Sequence, residues 1–338
     1  MKNNFEISQS GLENINCKDL YKNKLERFIT ANKLRISVPK EEDYGAEEYK
    51  FIKNPENPNS LKLENPEFMN SFFESKGYGL VKPKNIINNG GTTLFVSAGV
   101  QLLDDVIFKE KTISERKIFV AQPVFRTQYI DSINEGFSTS FINIASEIVN
   151  PSVDDHFCAI GDWINMLREL GLKREKVTLK TREKEPQWGD KKFKESILML
   201  YYDGLEIGDA NYIYDIPQKT RSSLKISDIG FGLERIQWIL KGGSYFDGKK
   251  VEDMCVFDHC KTMALLAGSG LKPSNKEHGY RLRQLSKRVM DTGKKSNDLL
   301  ATLKDCYNYW KKWTFLTMPE SGALEIINSE NRRNSKNI

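Results

Sequence analysis

The stretch Ser227-Asp228-Ile229-Gly230-Phe231-Gly232-Leu233-Glu234-Arg235-Ile236 decides the fold of this chain. An apolar segment enters it, two glycines let the backbone approach a ligand closely, and an arginine follows on the first turn of a predicted helix. Backbone N–H groups at a helix start favour negative charge. The planar guanidinium group of Arg235 matches phosphate oxygens. The pattern predicts a site for a polyphosphate.

A second arginine segment lies about a hundred residues upstream. The β-rich run Ile118–Phe125 ends in Arg126, and the polar loop Thr127–Thr139 leads to a second apolar run, Phe141–Val149. This order predicts strand, loop and strand with Arg126 at the mouth. We expect Arg126 and Arg235 on neighbouring strands of one antiparallel sheet, where they hold a nucleoside triphosphate from two sides.

A dinucleotide-binding fold is the main rival explanation of the two glycines. That fold needs a third glycine three residues after the second, within a strand–helix–strand unit. Arginine occupies that position here, and the flanking strands have no helices between them. The sequence therefore excludes this fold.

Composition describes a globular chain with enough apolar material for a core. The 338 residues are 39% hydrophobic and 29% charged, with a formal net charge of +5. That mild excess is compatible with nucleotide, nucleic-acid or acidic partners. No apolar run approaches a membrane span and no secretory leader opens the chain, so we expect a cytoplasmic protein. The five cysteines form no CxxC pair, which disfavours a disulfide framework.

Cys255, His259 and Cys260 raise the question of a metal site. The i, i+4 spacing of Cys255 and His259 suits two ligands on a helix, but it equally describes one buried helical stripe. Zinc needs four ligands, and the chain has only two other histidines. We expect the buried stripe.

The sequence predicts helices in some parts of the chain and strands in others. We expect helices at Asp19–Ile29, Phe68–Phe73 and after an N-cap at Ser152, and helical structure from Val251 to about Trp313. Strands are expected at Thr92–Val96, Lys117–Ala121, Val177–Lys180, Ser196–Tyr202, Leu205–Tyr214 and Leu224–Ser227. Because the later strands are joined by short turns, their sheet should be antiparallel.

Six segments, in order, resemble the catalytic region of class II aminoacyl-tRNA synthetases, and alanyl-tRNA synthetases in detail. Arg126 and its loop resemble motif 2, and Gly-x-Gly-Leu-Glu-Arg resembles motif 3. Leu94–Val100 is similar to the family's Leu-Phe-Thr-Asn-Ala-Gly-Met, and Leu205–Asp209 to Leu-Glu-Ile-Trp-Asn. The motif 3 match extends over Ile226–Ile236, and the further matching segments are Phe72–Tyr78 and Pro273–Arg283.

The resemblance implies an α+β fold: a class II synthetase-type antiparallel sheet flanked by helices, followed by an all-helical C-terminal subdomain. The implied domains are a polar extension or linker over 1–64, an adenylation domain over 65–245, a helical subdomain over 246–327 and a disordered tail over 328–338. The family's editing and oligomerisation domains do not follow in this sequence, which suggests a stand-alone paralogue. The implied ligands are ATP and Mg²⁺.

The same resemblance assigns roles around ATP. Arg126 would hold the α-phosphate and Arg235 the γ-phosphate, and both are the expected catalytic residues. Gly230, Gly232 and Asn143 would also contact ATP. Hard oxygen ligands for Mg²⁺ would be Glu206 and Asp209.

For the amino acid, the resemblance implies that Asp228 pairs with the α-ammonium group. Trp188 would either wall the substrate pocket or simply pack beside Pro186. Departures from the family pattern put Val100, Asp209 and Asn211 in a pocket that otherwise accepts a methyl group. Because buried polar groups need partners, we expect a small polar substrate in place of alanine, with a serine-, diaminopropionate- or asparagine-like side chain.

Two further departures concern ATP and the metal. An amide, Asn143, replaces the family's glutamate on the adenine side. Met199 replaces another glutamate near the metal, and the basic run Lys191–Lys194 replaces a cysteine-containing loop.

The expected activity is ATP-dependent activation of an amino acid to its adenylate, with transfer to a tRNA, a carrier protein or a small-molecule amine. Asn275, Arg281 and Arg283 are the expected acceptor-binding residues. The alternative for the basic helix that carries the arginines is a solvated face. The alternative is a non-catalytic pseudo-synthetase that senses a nucleotide, an amino acid or RNA. Both a monomer and a homodimer are compatible with the sequence.

Overall fold

The structure is a computed structural model that describes residues 17–37, 58–88, 92–131, 133, 137–220, 223–242 and 251–335. The helices are α1 Cys17–Asn32, α2 Glu67–Ser75, α3 Asp104–Phe108, α4 Val153–Glu169, α5 Leu233–Lys241, α6 Val251–Gly268, α7 Glu277–Asp291, α8 Leu300–Lys311 and α9 Glu320–Ser335. The strands are β1 Arg35–Ser37, β2 Gly79–Leu80, β3 Lys117–Phe125, β4 Ser140–Val149, β5 Val177–Lys184, β6 Gln187–Trp188, β7 Lys191–Lys192, β8 Lys194–Tyr202, β9 Leu205–Ile216 and β10 Leu224–Gly232.

Eight of the described strands form one sheet, in the order β1-β5-β8-β9-β10-β4-β3-β2. The six central strands pair antiparallel, and only the two short edge strands, β1 and β2, pair parallel with their neighbours. Strands β8 and β9 are joined by the tight turn Asp203-Gly204, where both residues have positive φ. The expected α+β fold with a central antiparallel sheet is confirmed.

Helix α4 covers one face of this sheet. The Trp163 ring stacks on Phe231 of β10 at a centroid distance of 4.4 Å, and its indole N–H donates to the Ser146 hydroxyl at 2.7 Å. Phe73 of α2 stacks on Phe119 of β3 at 4.2 Å. Side chains alternate between the two faces of a sheet along each strand. The residues next to Phe231, Ser146 and Phe119 in sequence therefore project from the opposite face, and the candidate site lies on that face.

Helix α4 begins and ends as its sequence predicts. The Ser152 hydroxyl accepts from the Asp155 N–H at 3.0 Å, and the Asp155 carboxylate accepts from the Ser152 N–H at 2.9 Å, which completes a capping box. Gly171, with φ of +82°, follows the last turn. A left-handed residue there is favourable only for glycine and ends the helix.

The polar N-terminal stretch, expected to be an extension or linker, contributes α1, β1 and the 3-10 helix Pro58–Leu63 to the fold. In α1 one side of the helix is apolar, and Tyr21 and Leu25 are buried. The Tyr21 ring packs against Phe157 of α4 at 5.2 Å. Strand β1 then pairs with β5 at the sheet edge. Residues 38–57 of this stretch lie outside the described residues.

The prediction of a disordered tail over 328–338 is wrong for most of that range. Helix α9 continues to Ser335, and Ile327 and Asn331 are buried within it. The Asn331 side chain accepts from the Ser286 hydroxyl of α7 at 2.6 Å. Buried contacts with α7 hold a segment whose composition is otherwise typical of disorder.

A smaller difference concerns β structure. Thr92–Val96 does not form a strand; Phe95 makes a single bridge with Ile87. In the part of the chain that the structure describes, no helix is long and apolar enough to cross a membrane.

A buried histidine gives the fold a predicted acid sensitivity. His156 of α4 is fully buried, its Nδ1 lies 2.7 Å from the Ser227 hydroxyl, and burial lowers its pKa to about 3. The unfolded chain binds this proton below about pH 6.5, so acid favours the unfolded state. We expect His156 to reduce the free energy of unfolding by about 1.4 kcal/mol between pH 7.5 and 5.5.

Urea unfolding of the wild type and of His156→Gln at the two pH values measures this contribution. The variant should lose less stability on acidification than the wild type by about that amount. Equal losses in both proteins would show that His156 does not titrate on unfolding.

Candidate active site

The site face of the sheet carries polar side chains in register. Asp228 of β10 lies directly opposite Glu147 of β4 on one side and Asn211 of β9 on the other. Two residues further along the strands, Gly230 is opposite Ala145 and Asp209. Side chains two residues apart on a strand share a face, so these positions form one surface in which small residues leave room for a ligand.

A cleft of about 850 Å³, including its open mouth, lies over this surface. It contains all seven residues expected to bind ATP and metal: Arg126, Asn143, Glu206, Asp209, Gly230, Gly232 and Arg235. Its other walls are Tyr129, Phe137, Ser138, Phe141, Ile207, Gly208, Glu234 and Trp238. Motifs far apart in the sequence therefore meet in one cavity, as expected.

The two arginines are held at the cleft by main-chain carbonyl groups. Arg126 donates from Nε to the Ser97 carbonyl oxygen at 2.9 Å. Arg235 donates from Nη1 to the Glu206 carbonyl oxygen at 2.9 Å. The expectation of neighbouring strands is wrong, because β4 lies between β3 and β10. The loop after β3 and the start of α5 nevertheless bring both guanidinium groups to the same cleft.

The expected glycine turn is part of a strand. Gly230 lies inside β10, and Gly232 is the residue before α5, with φ of −78°. A Cβ atom at Gly230 would stand 2.8 Å from the Asn143 side-chain nitrogen, so a side chain there would displace this amide. Glycine is required at Gly230 by close approach and not by turn geometry.

Asn143 joins two parts of the site. Its Oδ1 accepts from the Gly99 N–H at 2.8 Å, and its Nδ2 donates to the Phe231 carbonyl oxygen at 3.4 Å. The amide therefore fastens the Gly99–Leu103 turn to the sheet. Its predicted contact with ATP remains a prediction.

Aromatic rings and guanidinium groups line the mouth of the cleft. Tyr129 and Phe137 stack at a centroid distance of 4.5 Å. The guanidinium carbon of Arg235 lies 5.6 Å from the Phe137 ring centre, and that of Arg126 lies 5.0 Å from Phe141. Such flat surfaces suit a nucleobase.

Carboxyl groups concentrate negative charge at the floor. Burial, reinforced by the charges of Asp228 and Glu206, raises the pKa of Asp209 to about 7. Burial also raises the pKa of Asp228, against the opposing effects of Glu147, Asn211 and Arg126. The floor therefore favours cations.

Glu206 and Asp209 fit the chemistry expected of a magnesium site. Both line the cleft, and the pKa of Asp209 is raised first by burial and then by the negative charges of Asp228 and Glu206, which a cation would neutralise. The Glu206 carboxylate lies 3.8 Å from Arg235 Nη1. Among the described residues no group of three or more His, Cys, Asp or Glu side chains could hold a metal. Two carboxylates suffice for Mg²⁺ when phosphate oxygens complete its coordination.

The residues predicted to hold the amino acid divide into two sets. Asp228 and Asn211 are joined by a hydrogen bond of 3.4 Å from Asn211 Nδ2. Val100 is buried in an apolar cluster against the same sheet face. Trp188 donates to the Thr92 hydroxyl at 2.6 Å and packs edge-on against Phe108 at 5.5 Å. Like Asp228, Asn211 and Val100, it is not among the residues that line the cleft. These contacts support the packing interpretation of Trp188.

The expected acceptor-binding residues lie in the helical part, away from the cleft lining. Asn275 accepts a hydrogen bond from Arg283, whose Nε also lies 3.3 Å from the Glu330 carboxylate of α9. Arg281 donates to Gln284 at 2.8 Å. Arg283 thus contributes to packing of α7 on α9, and phosphate binding by these residues is untested.

The structure adds two groups that the sequence interpretation missed. Glu147 is an acid within the apolar run Ile144–Val149. This unusual position is the sequence feature that could have identified it as a site residue. Glu234 of α5 is buried, accepts from Lys261 Nζ at 2.7 Å and from the Tyr309 hydroxyl at 2.9 Å, and thereby joins the cleft to the helical subdomain. No local sequence pattern identifies the role of Glu234, because its hydrogen-bond partners are distant in sequence.

His259 belongs to a polar network between the motif 2 loop and the helical subdomain. Its Nδ1 lies 3.2 Å from Asp258, and its Nε2 accepts from Arg288 Nε at 3.0 Å. Asp258 in turn accepts from the Thr139 N–H at 2.9 Å. These contacts account for both ring nitrogens of His259.

The sheet, the cleft between the two arginines and the helical C-terminal part define a class II synthetase-like domain. Its sequence relatives are alanine–tRNA ligases. One from Saccharolobus islandicus is 24% identical, with 75% of this chain and 37% of that protein aligned. One from Sulfurisphaera tokodaii is 22% identical over 83% of this chain and 39% of that protein. This chain therefore spans less than half the length of these relatives.

Other comparisons are weaker. An alanine–tRNA ligase from Mycobacterium ulcerans is 30% identical, but over only 23% of this chain. A pyrrolysyl-tRNA synthetase structure from Desulfitobacterium hafniense covers 67% of this chain and 76% of that one, with 13% identity and a TM-score of 0.39. No protein-family model matches the chain.

Proposed function

We propose that this protein activates an amino acid with ATP to form an aminoacyl-adenylate and passes it to an acceptor. The observation that carries this proposal is the placement of Arg126 and Arg235 at one cleft above the sheet face that bears Asp228. Cations for phosphates and an anion for an ammonium group are thus provided on one surface. The relatedness to alanine–tRNA ligases supports the same reaction class.

In this reaction the substrate carboxylate attacks the α-phosphorus of ATP. A new oxygen–phosphorus bond forms, the bond to the β-phosphate bridge breaks, and pyrophosphate leaves with the electron pair. Arg126 would stabilise the charge at the α-phosphate, and Arg235 would bind the γ-phosphate. No general base is needed because the carboxylate is already ionised at neutral pH. Bound Mg²⁺ would supply charge neutralisation between the phosphates, with Glu206 and Asp209 as its protein ligands.

Asp228 would orient the amino acid by pairing with its α-ammonium group. Asn211 Oδ1 is shielded from solvent and accepts no hydrogen bond from any described residue. A donor on the substrate side chain would satisfy it, whereas a methyl group would leave it unpaired at a cost of about 1–3 kcal/mol. The proposed substrate is therefore small and polar.

The acceptor is a tRNA, a carrier-protein thiol or a small-molecule amine. Helix α7 and the loop before it bear exposed basic side chains, including Lys276 and Lys287. They would support contacts with phosphate groups of a tRNA. Transfer to a labelled tRNA, a carrier protein and simple amines distinguishes the three acceptors.

Amino-acid-dependent exchange of labelled pyrophosphate into ATP tests the proposal. The panel comprises the twenty standard amino acids and short diamino and hydroxy analogues, each with and without Mg²⁺. We expect exchange with one substrate group and its loss when EDTA removes the metal. Absence of exchange across the whole panel, while ATP still binds, would contradict the proposal.

A pseudo-synthetase that binds ligands without catalysis is the second candidate. Asn143 uses both ends of its amide to connect Gly99 with Phe231. Met199 stands directly opposite Asp209, so this position of β8 supplies no acid. This function predicts ATP binding by calorimetry without pyrophosphate exchange for any amino acid.

A further inference from the structure

The loop that forms part of the cleft wall is attached to the helical C-terminal part. This motif 2 loop, Thr127–Thr139, directly follows Arg126, and the structure describes residues 127–131, 133 and 137–139 of it. Tyr129, Phe137 and Ser138 of this loop line the cleft. The position of the loop therefore determines the shape of the cleft in which ATP is proposed to bind.

Arg288 of α7 binds the first half of the motif 2 loop. Its Nη2 donates to the Ile130 carbonyl oxygen at 3.1 Å, and its Nη1 lies 2.7 Å from the Asp131 carboxylate. Its Nε donates to His259 Nε2 at 3.0 Å. All three guanidinium nitrogens thus have a partner. Because the guanidinium group is planar and rigid, these three contacts fix the loop relative to α7.

Asp258 of α6 binds the other end of the loop. Its carboxylate accepts from the Thr139 N–H at 2.9 Å and also from the Thr139 hydroxyl. The Thr262 hydroxyl, one turn further along α6, lies 2.7 Å from the Thr139 hydroxyl and 2.8 Å from that of Ser140. All four residues are buried. Water does not compete for these hydrogen bonds, so they hold this end of the loop firmly.

His259 connects the two attachments. Its Nδ1 lies 3.2 Å from the Asp258 carboxylate, and its Nε2 accepts from Arg288. A neutral imidazole that donates from Nδ1 and accepts at Nε2 satisfies both contacts at once. Asp258, His259 and Arg288 therefore form one continuous chain of polar contacts, the loop anchor, which holds both ends of the motif 2 loop.

The loop anchor reaches Arg126 through a single residue. The Arg126 N–H donates to the Thr139 carbonyl oxygen at 2.8 Å, and Asp258 holds the N–H and the hydroxyl group of the same threonine. From the two halves of the loop, the rings of Tyr129 and Phe137 meet at a centroid distance of 4.5 Å in the cleft wall. The contacts of the loop anchor thus act on the side of the cleft assigned to the nucleotide.

We propose that the loop anchor is a positioning element for ATP, which holds Arg126 and the Tyr129–Phe137 pair in the geometry that receives the nucleotide. This inference rests on the proposed function, which assigns the cleft to ATP. Asp228 and Asn211, proposed to bind the amino acid, belong to β10 and β9 and not to the loop. Disturbing the loop anchor should therefore weaken the binding of ATP and leave recognition of the amino acid intact.

Pyrophosphate exchange with variants of Arg288 tests this role. We expect Arg288→Ala to raise the KM for ATP by about 10-fold or more and to leave the KM for the amino acid within about twofold of the wild type. Arg288→Lys keeps a charge for Asp131 but loses the planar fork, so it should restore ATP binding only in part. Arg332→Ala, which removes an exposed arginine of α9, is the matched control and should change neither KM.

Asp131→Asn provides a second variant in case Arg288→Ala does not fold. The Asp131 side chain is 77% exposed, and the substitution removes the charge of its pair with Arg288. It should raise the KM for ATP by a smaller factor, with the amino-acid KM again unchanged.

Calorimetric titration with ATP and Mg²⁺ separates this inference from the proposed function. Weaker ATP binding in the Arg288 and Asp131 variants, but not in Arg332→Ala, supports the loop anchor even if no amino acid gives exchange and activation fails. Unchanged affinity for ATP in these variants overturns the inference. An equal rise of the KM values for ATP and the amino acid also overturns it, because the network then only supports the fold. A wild type that binds no ATP overturns both proposals.

Discussion

Replacing Arg126 with alanine is expected to reduce amino-acid-dependent pyrophosphate exchange by at least about 1000-fold. A preorganised cation at a transferred phosphoryl group contributes on the order of 10³–10⁵ in rate. Arg126 is preorganised because the Ser97 carbonyl oxygen holds its Nε and the Phe141 ring supports its guanidinium group. The loss should appear mainly in kcat, since the charge it stabilises develops in the transition state.

Arg168→Ala is the matched control for this measurement. Arg168 lies on α4, on the other side of the sheet, and its exposed side chain donates to Asn165 at 3.2 Å. Its loss should leave exchange unchanged. Wild-type kcat in Arg126→Ala would exclude Arg126 from the phosphate chemistry. Arg235→Ala should act differently, with a larger share of the effect on the KM for ATP.

Replacing Lys261 with alanine is expected to destabilise the protein by about 3–5 kcal/mol. Lys261 and Glu234 are both buried, and their ion pair of 2.7 Å joins α6 to the helix that follows β10. Without Lys261 the Glu234 carboxylate keeps the Ile142 N–H and the Tyr309 hydroxyl as donors but loses its countercharge. Urea unfolding measures the difference.

The double variant Glu234→Gln/Lys261→Met separates charge from packing. It removes both charges, so it should be more stable than Lys261→Ala. Lys109→Ala breaks an exposed pair with Asp105 and should cost far less. Equal stability of Lys261→Ala and the wild type would show that the buried pair does not hold the two parts together.

Local patterns in the sequence predicted the antiparallel part of the sheet from β8 to β10, because these strands are consecutive and joined by short connections. The hairpin of β8 and β9 around Asp203-Gly204 and the capping box of Ser152 are local features. The cleft was predicted from the resemblance of several separate motifs to one family of synthetases. Arg126, Asp209 and Arg235 do meet there, although the strand order between the arginines was not predictable from spacing.

Elements that depend on distant contacts were missed. Strand β1 is only three residues long and exists through pairing with β5, about 140 residues away. Helix α9 is held by burial of Asn331 against α7. Glu147 stands out in an apolar strand, but only the register with β10 places it opposite Asp228.

The most direct test of the central claim is detection of the adenylate itself. The wild-type protein is incubated with ATP, Mg²⁺ and each amino acid, and the products are analysed by mass spectrometry with and without hydroxylamine as a trap. An aminoacyl-adenylate, or its hydroxamate, together with pyrophosphate is the predicted result. Bound but unreacted ATP with every amino acid would contradict activation at this cleft.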